Sequence, residues 1–265
     1  MTAALHTVDL ASSLSEPHRP PVVLLPKVGG WAADWRHVAA LLAEERRVIV
    51  IDLPGHGGST MPSPAPYAQS PVSSAYAVLA TLARLDVGPR HLVGTSLGGI
   101  VAAMASLVEP ESTVSLSLVS VSLGAPVTPA QLKASDAAVR HHFDGGWAPL
   151  PRGMDGAERF GLTDPAIAAE QDASRAAAGP WVRASERGAG LLGLRDHLHR
   201  ITVPTLVLGG TRGMYVKYEA TARELVPGVT VESIPDSGAF VLQERPAETA
   251  AALRRHLAAA DPPLP

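Results

Sequence analysis

The sequence predicts an α/β domain: a mostly parallel β-sheet covered by helices on both faces, with a helical cap inserted into it. Three observations predict it. Short, uninterrupted apolar runs alternate with helical patterns through residues 21–123 and again through 203–260. Such runs read as strands buried on both faces, which is the condition of a parallel sheet. Between residues 126 and 200 the runs stop, and glycine, proline and short alanine-rich helical stretches take over. The third is the pentapeptide Gly94-Thr95-Ser96-Leu97-Gly98, at the seam between an apolar run and a helical pattern. The expected division is therefore a core of residues 1–125 and 201–265 and a cap of residues 126–200.

Each element has its own reason. Residues 5–10 and Leu14 have the spacing of one or two short edge strands. Residues 21–25 form a buried strand that feeds the loop Pro26-Lys27-Val28-Gly29-Gly30-Trp31. Asp34 is placed to N-cap a helix over 35–45, whose inner side carries Val38, Leu41 and Leu42. Residues 48–51 are the next strand, ending in the turn cluster Asp52-Leu53-Pro54-Gly55-His56-Gly57. An amphipathic helix follows over 73–85, then a strand over 91–93. A helix over 98–108 comes next, then a strand over 114–123. After the cap come a strand (203–208), a helix (218–225), a strand (229–234) and a closing helix (246–260). Residues 261–265 read as a loose tail. Crossovers between parallel strands are expected to be right-handed.

Composition narrows the partners. The chain has 265 residues, a net charge of −3 and no basic stripe, so nucleic acid is not expected. With no cysteine there is no disulfide, thiolate metal site or cysteine nucleophile. No apolar stretch is long enough to span a bilayer, and no leader is evident at the N-terminus. A cytoplasmic protein is expected. The alanine- and arginine-rich, lysine-poor composition fits a GC-rich bacterial genome; the only lysines are Lys27, Lys133 and Lys217.

The pentapeptide carries the chemistry. A sharp strand-to-helix turn needs small residues two before and two after the serine, because backbone crosses backbone there. Such a turn holds the Ser96 hydroxyl over the carboxyl end of the sheet, at a helix N-terminus with free N–H groups. This elbow, the segment Asp52–Gly57 after a strand, residues 203–209 after the insertion, and the closing stretch 234–246 together resemble the α/β-hydrolase superfamily. The resemblance is to its small capped members and covers nearly the whole chain. It implies a serine nucleophile, then an acid, then a histidine in chain order.

Three expected features are replaced. The resemblance puts the acid at Gly213, within Gly209-Gly210-Thr211-Arg212-Gly213, and the histidine at Ala239, within Ser237-Gly238-Ala239-Phe240. The oxyanion loop, often begun by His-Gly in the family, reads Pro26-Lys27. A lone serine has no base to activate it, so the ordinary acyl-enzyme route is expected to be slower by about 10⁶.

The remaining candidates follow from position. Lys27 faces the elbow, where a desolvated amine could act as a base, or stay charged and hold an anion or enolate; its stem could equally pack along the loop with its head in solvent. Val28, Leu97 and Trp31 belong to the oxyanion side of the pocket, and Tyr215 and Phe240 follow the replaced acid and histidine. In the cap, His142, Phe143, Trp147 and Trp181 are candidates for the pocket roof; they could instead serve the cap's own core. Asp52 and His56 read as holders of their turn, and Lys217 and Tyr218 as surface groups. The histidines lack metal-ligand spacing, so neither a metal nor a cofactor is expected.

An apolar, partly aromatic pocket suits an apolar small molecule. The leading expectation is an enzyme of non-hydrolytic chemistry such as cyclisation, elimination or isomerisation, of the kind met in secondary metabolism. Two alternatives stand beside it. One is a serine hydrolase whose base was substituted or comes from elsewhere; the other is a binding protein that kept the cavity and lost the chemistry. Oligomeric state is not readable.

Overall fold

The apolar runs all pair with one another. In the computed structural model, which describes residues 5–10 and 19–263, seven strands form one sheet. They are β1 (Thr7–Leu10), β2 (Val22–Leu25), β3 (Val48–Ile51), β4 (Arg90–Thr95), β5 (Thr113–Val119), β6 (Thr205–Gly210) and β7 (Thr230–Ile234). Their order across the sheet is β1-β3-β2-β4-β5-β6-β7. Only β1 is antiparallel, pairing Thr7 with Ile51 at the sheet edge. Leu14 lies outside the described residues.

The strands read as continuous apolar runs because both faces are covered. Val22, Leu24, Val48 and Val50 face one side, with Trp35, Leu253 and Leu257 of the flanking helices. Val23, Leu25, Ile49 and Ile51 face the other, with Leu79, Leu82, Val101 and Met104. Alternate residues thus enter two cores, as the period of a strand requires. The helices are α1 (Arg36–Leu42), α2 (Pro71–Arg84), α3 (Leu97–Val108), α8 (Glu219–Leu225), α9 (Val241–Glu244) and α10 (Pro246–Ala260), with the cap helices between α3 and α8.

Between β5 and β6 the described chain adds no strand to the sheet. It forms α4 (Pro129–Val139), α5 (Gly153–Ala157), α6 (Pro165–Ala178) and α7 (Trp181–Leu192). Local signals start two of these. Thr128 and Gln131 form a reciprocal capping box at α4, and Asp164 accepts from Ala166 N–H at α6 with Pro165 in the first turn.

Two expectations change. Asp34 does not cap α1. It lies in a 3₁₀ turn, Ala32–Trp35, that precedes the helix, and its carboxylate turns toward Lys27. Nor is Asp261 loose. It receives both arms of Arg46, at 3.0 and 2.9 Å, and lies 2.9 Å from His91 Nε2, whose Nδ1 is 2.8 Å from Ser115 Oγ. The buried Arg46 guanidinium at the far end of the sheet would otherwise lack a counter-charge, and the tail residue supplies it while also holding His91.

Candidate active site

The strand β4 and helix α3 meet at Ser96, which has φ 50° and ψ −115°. An L-residue is strained there by about 1–3 kcal/mol. The neighbours show why the turn needs glycine. A Cβ on Gly94 would lie 2.2 Å from the Gly98 carbonyl carbon, and one on Gly98 would lie 2.3 Å from the Leu25 carbonyl oxygen. Ser96→Gly is therefore expected to raise stability by about 1 kcal/mol while removing the hydroxyl. A thermal melt checks it; a lower Tm would mean that the hydroxyl holds the turn.

Ser96 opens on a cavity between sheet and cap, with about 740 Å³ of open space counting its mouth. Lys27, Val28, Ser96, Tyr215, Ala239 and Phe240 line it together, as do Thr95, Ser120 and Asp34. Lys27 does not reach solvent; it is 8% exposed. Its Nζ stands 3.6 Å from Asp34 Oδ2, an ion-pair distance too long for a hydrogen bond, and has no hydrogen-bond partner among the described residues. Burial lowers the Lys27 pKa; Asp34 opposes this, and Arg175 and Arg152 add to the lowering. Burial likewise raises the Asp34 carboxyl, against the pull of Lys27. Both shifts favour the uncharged forms, the free amine and the protonated acid.

Tyr215 supplies a phenol. Burial raises its pKa, and the Ser96 side chain, a hydrogen-bond partner, partly offsets this. Ser120 ends β5 at φ 49°, with a buried Oγ lacking a partner.

Gly213 and Ala239 sit together. A Cβ on Gly213 would lie 3.2 Å from Ala239 N, and Ala239 lines the cavity with Ser96. Among the described residues no histidine lines the cavity. His56 donates through its ring to the Pro54 carbonyl and Asp52 accepts from Gly58 N–H, so both hold their turn.

The side chains of the other candidates are not part of the cavity lining. Leu97 packs into the core. Trp31 is half-buried and gives its backbone N–H toward Asp34 Oδ2, at 3.4 Å. Phe143 and Trp147 pack with Ala178 and Val182 in a small core of the cap. Trp181 lies across Gly55. His142 stacks on His141, ring centres 3.9 Å apart. Phe143 and Trp147 thus serve the cap's own packing, while Trp181 packs on the core loop at Gly55.

The cap reaches the cavity with other residues: Arg152, Phe160, Gln171, Asp172 and Arg175 among them. Phe160 packs against Phe240 with the rings tilted 59° and 5.5 Å between centres. A signal for three of these exists in the sequence. Ala168, Gln171, Asp172 and Arg175 share one face of a helix by their three- and four-residue spacing.

This strand order, with the elbow at Ser96 and the helical segment between β5 and β6, is that of an α/β-hydrolase fold. The chain belongs to the alpha/beta hydrolase family, whose model matches residues 22–252. It is 37% identical over 123 residues to the dihydrolipoyllysine-residue acetyltransferase component of the acetoin cleaving system of Pseudomonas putida, covering 46% of this chain and 32% of that protein. It is 35% identical over 99 residues to the pimeloyl-[acyl-carrier protein] methyl ester esterase of Aeromonas salmonicida, covering 37% and 36%. The chain spans about a third of the length of the first curated relatives it matches. Among solved structures, a thermophilic esterase from Thermogutta terrifontis superposes with a TM-score of 0.79 at 23% identity, covering 97% of this chain and 93% of that one. MenH from S. aureus superposes at 0.78 with 21% identity, covering 96% and 98%. At these identities the likeness is one of fold. No helix among the described residues is long and apolar enough to cross a membrane.

Proposed function

We propose that this chain is an enzyme that moves protons on a small carbonyl compound held between Lys27 and Ser96. The observation that carries the reading is the Lys27 amine, buried in the Ser96 cavity without a hydrogen-bond partner and pushed by its surroundings toward the free base. Such an amine can take a proton from carbon next to a carbonyl. The electron pair left behind moves onto the carbonyl oxygen. Among the described residues nothing accepts from the backbone N–H of Val28 or Leu97, which leaves both free to meet that oxygen beside the Ser96 and Tyr215 hydroxyls. Returning the proton at another carbon completes an isomerisation. Expelling a leaving group completes an elimination, and attack of the enolate carbon on a second carbonyl a cyclisation.

The test is hydrogen–deuterium exchange followed by NMR. In D₂O the protein should exchange the protons beside the ketone of 4-oxo-4-phenylbutanoate faster than buffer does, and Lys27→Met should not. Exchange at the unaltered rate in that variant overturns the reading.

The intact elbow favours one other reading, an esterase whose Ser96 is activated by Lys27. Under the proton-transfer reading, p-nitrophenyl acetate is turned over near background and a fluorophosphonate leaves Ser96 unlabelled. Ala239→His alone restores little, because Gly213 cannot orient the ring. Adding Gly213→Asp should raise hydrolysis at least about tenfold over the single variant, although its Cβ must displace the Gly210 carbonyl, 3.1 Å away, by a few tenths of an ångström. A burst of p-nitrophenol stoichiometric with the unaltered enzyme would decide for the esterase.

A further inference from the structure

We infer that the ligand of this cavity is an organic carboxylate, bound at its head by Arg175, Arg152 and Gln171 of the cap. The inference deepens the proton-transfer reading by naming the substrate class, and it rests on that reading only for what happens after binding.

Its basis is a set of polar atoms with nothing to bind. Arg175 Nε and Nη2, Arg152 Nε and both amide atoms of Gln171 are buried without a hydrogen-bond partner among the described residues. All three residues line the Ser96 cavity, and Arg175 and Gln171 are 3% and 6% exposed. Buried donors left this way are costly, and charged ones more so.

The nearby carboxylates do not relieve them. Asp172 is engaged by the backbone N–H groups of Arg152 and Gly153, each at 2.9 Å. Glu186 is 3.9 Å from Arg175 and 3.6 Å from Arg152, beyond hydrogen-bond reach, and is held by Arg183 at 3.1 Å. Asp34 faces Lys27.

Arg175 is also held in place. A Cβ on Gly29, at φ +64°, would lie 2.7 Å from Arg175 Cγ, so the Lys27 loop passes directly beneath the arginine stem. Gln171 stands one turn before Arg175 on α6. A fixed guanidinium with free N–H groups on one edge suits a planar carboxylate, which can take two parallel hydrogen bonds. A doubly charged phosphate fits less well, because Asp34 and Asp172 share the cavity. Phe160 and Phe240 give the wall an apolar surface. The substrate that matches has a carboxylate at the cap end, an apolar body and a carbonyl toward Ser96.

Calorimetric titration tests this without requiring turnover. The probes are 4-oxo-4-phenylbutanoate, 4-oxopentanoate and benzoylformate, each beside its neutral N,N-dimethylamide. The acids should bind at least about tenfold more tightly than the amides. The preference should shrink to about twofold or less in Arg175→Met, and survive in Ser96→Ala. Should Arg175→Met fail to fold, Gln171→Leu serves, since that side chain makes no hydrogen bond to lose; it should reduce the preference about threefold or more. Equal binding of acids and amides, an undiminished preference in the folded variants, or no acid binding below about 5 mM overturns the inference. Carboxylate preference without deuterium exchange would sink the proton-transfer reading alone. Exchange without carboxylate preference would sink the anion site alone.

Discussion

Lys27→Met is expected to lower proton-transfer turnover by about a hundredfold or more and, at neutral pH, to destabilise the fold by roughly 3 kcal/mol. The first effect follows from removing the Lys27 amine from the cavity. The second comes from Asp34, which would be left buried with no cation beside it. Position on the loop alone implies a loss of activity with stability nearly unchanged; the 3.6 Å contact with Asp34 adds the stability term. Its pH dependence has a definite sign. Burial already raises the Asp34 pKa above the ordinary carboxyl value, and loss of Lys27 raises it further. The folded variant then keeps a proton that the unfolded chain releases. The penalty is absent below the unfolded pKa and grows as pH rises through the folded one. Melting curves of protein and variant should therefore diverge from pH 5 to pH 8. Asp34→Asn added to Lys27→Met should recover stability without recovering exchange. A gap that does not change with pH would show that Asp34 is not the partner.

Asp261→Ala is expected to cost about 3–5 kcal/mol, although the residue lies five from the chain's end. Arg46 is 2% exposed and gives both arms to this carboxylate. Burial opposes ionisation of Asp261, but the Arg46 hydrogen bonds and charge outweigh it and lower the pKa. His91 belongs to the same network. Burial drives its pKa down to about 4, against the pull of Asp261, and burial takes His56 to about 4 as well. Both are held neutral in the fold and take up protons near 6.5 when it opens. Their contribution is whole above that pH and is lost as pH falls toward 4, roughly 3 kcal/mol for each at most. Urea midpoints between pH 7 and pH 4 should record this steep loss. An Asp261→Ala variant as stable as the parent would make the network incidental.

The strands and the elbow were legible because their causes are local and repeat. Four apolar residues in a row, as in Val22–Leu25, have one explanation when helices flank them on both sides. Two glycines four apart around Ser96 have one explanation when backbone must cross backbone. The resemblance set Gly213 and Ala239 as the acid and histidine positions; the fold brings the two close together, with Ala239 on the cavity wall. The cap lining was not legible. Phe143, Trp147 and Trp181 have the composition of a pocket roof, but the choice between pocket and cap core depends on how alanine-rich helices pack, which no local signal carries. Arg152 and Arg175 have the composition of surface residues, and only the tertiary fold buries them. Asp34 misled because an aspartate before a helix usually caps it; here a buried lysine across a tight loop competes for the carboxylate.

Ser115, His91 and Asp261 form a hydrogen-bonded chain of the three residue types that a serine hydrolase uses, at the opposite pole of the sheet from Ser96. The ring is reversed relative to a working triad, with aspartate on Nε2 and serine on Nδ1, and Ser115 and His91 are wholly enclosed. A template search by residue type and distance would find this trio and pass over the Ser96 cavity, reporting catalysis where no molecule can enter. Mechanism-based reagents sort the two poles differently, because they require a mouth as well as a nucleophile. In this molecule the enclosed trio is mortar, and the doorway lies at Ser96.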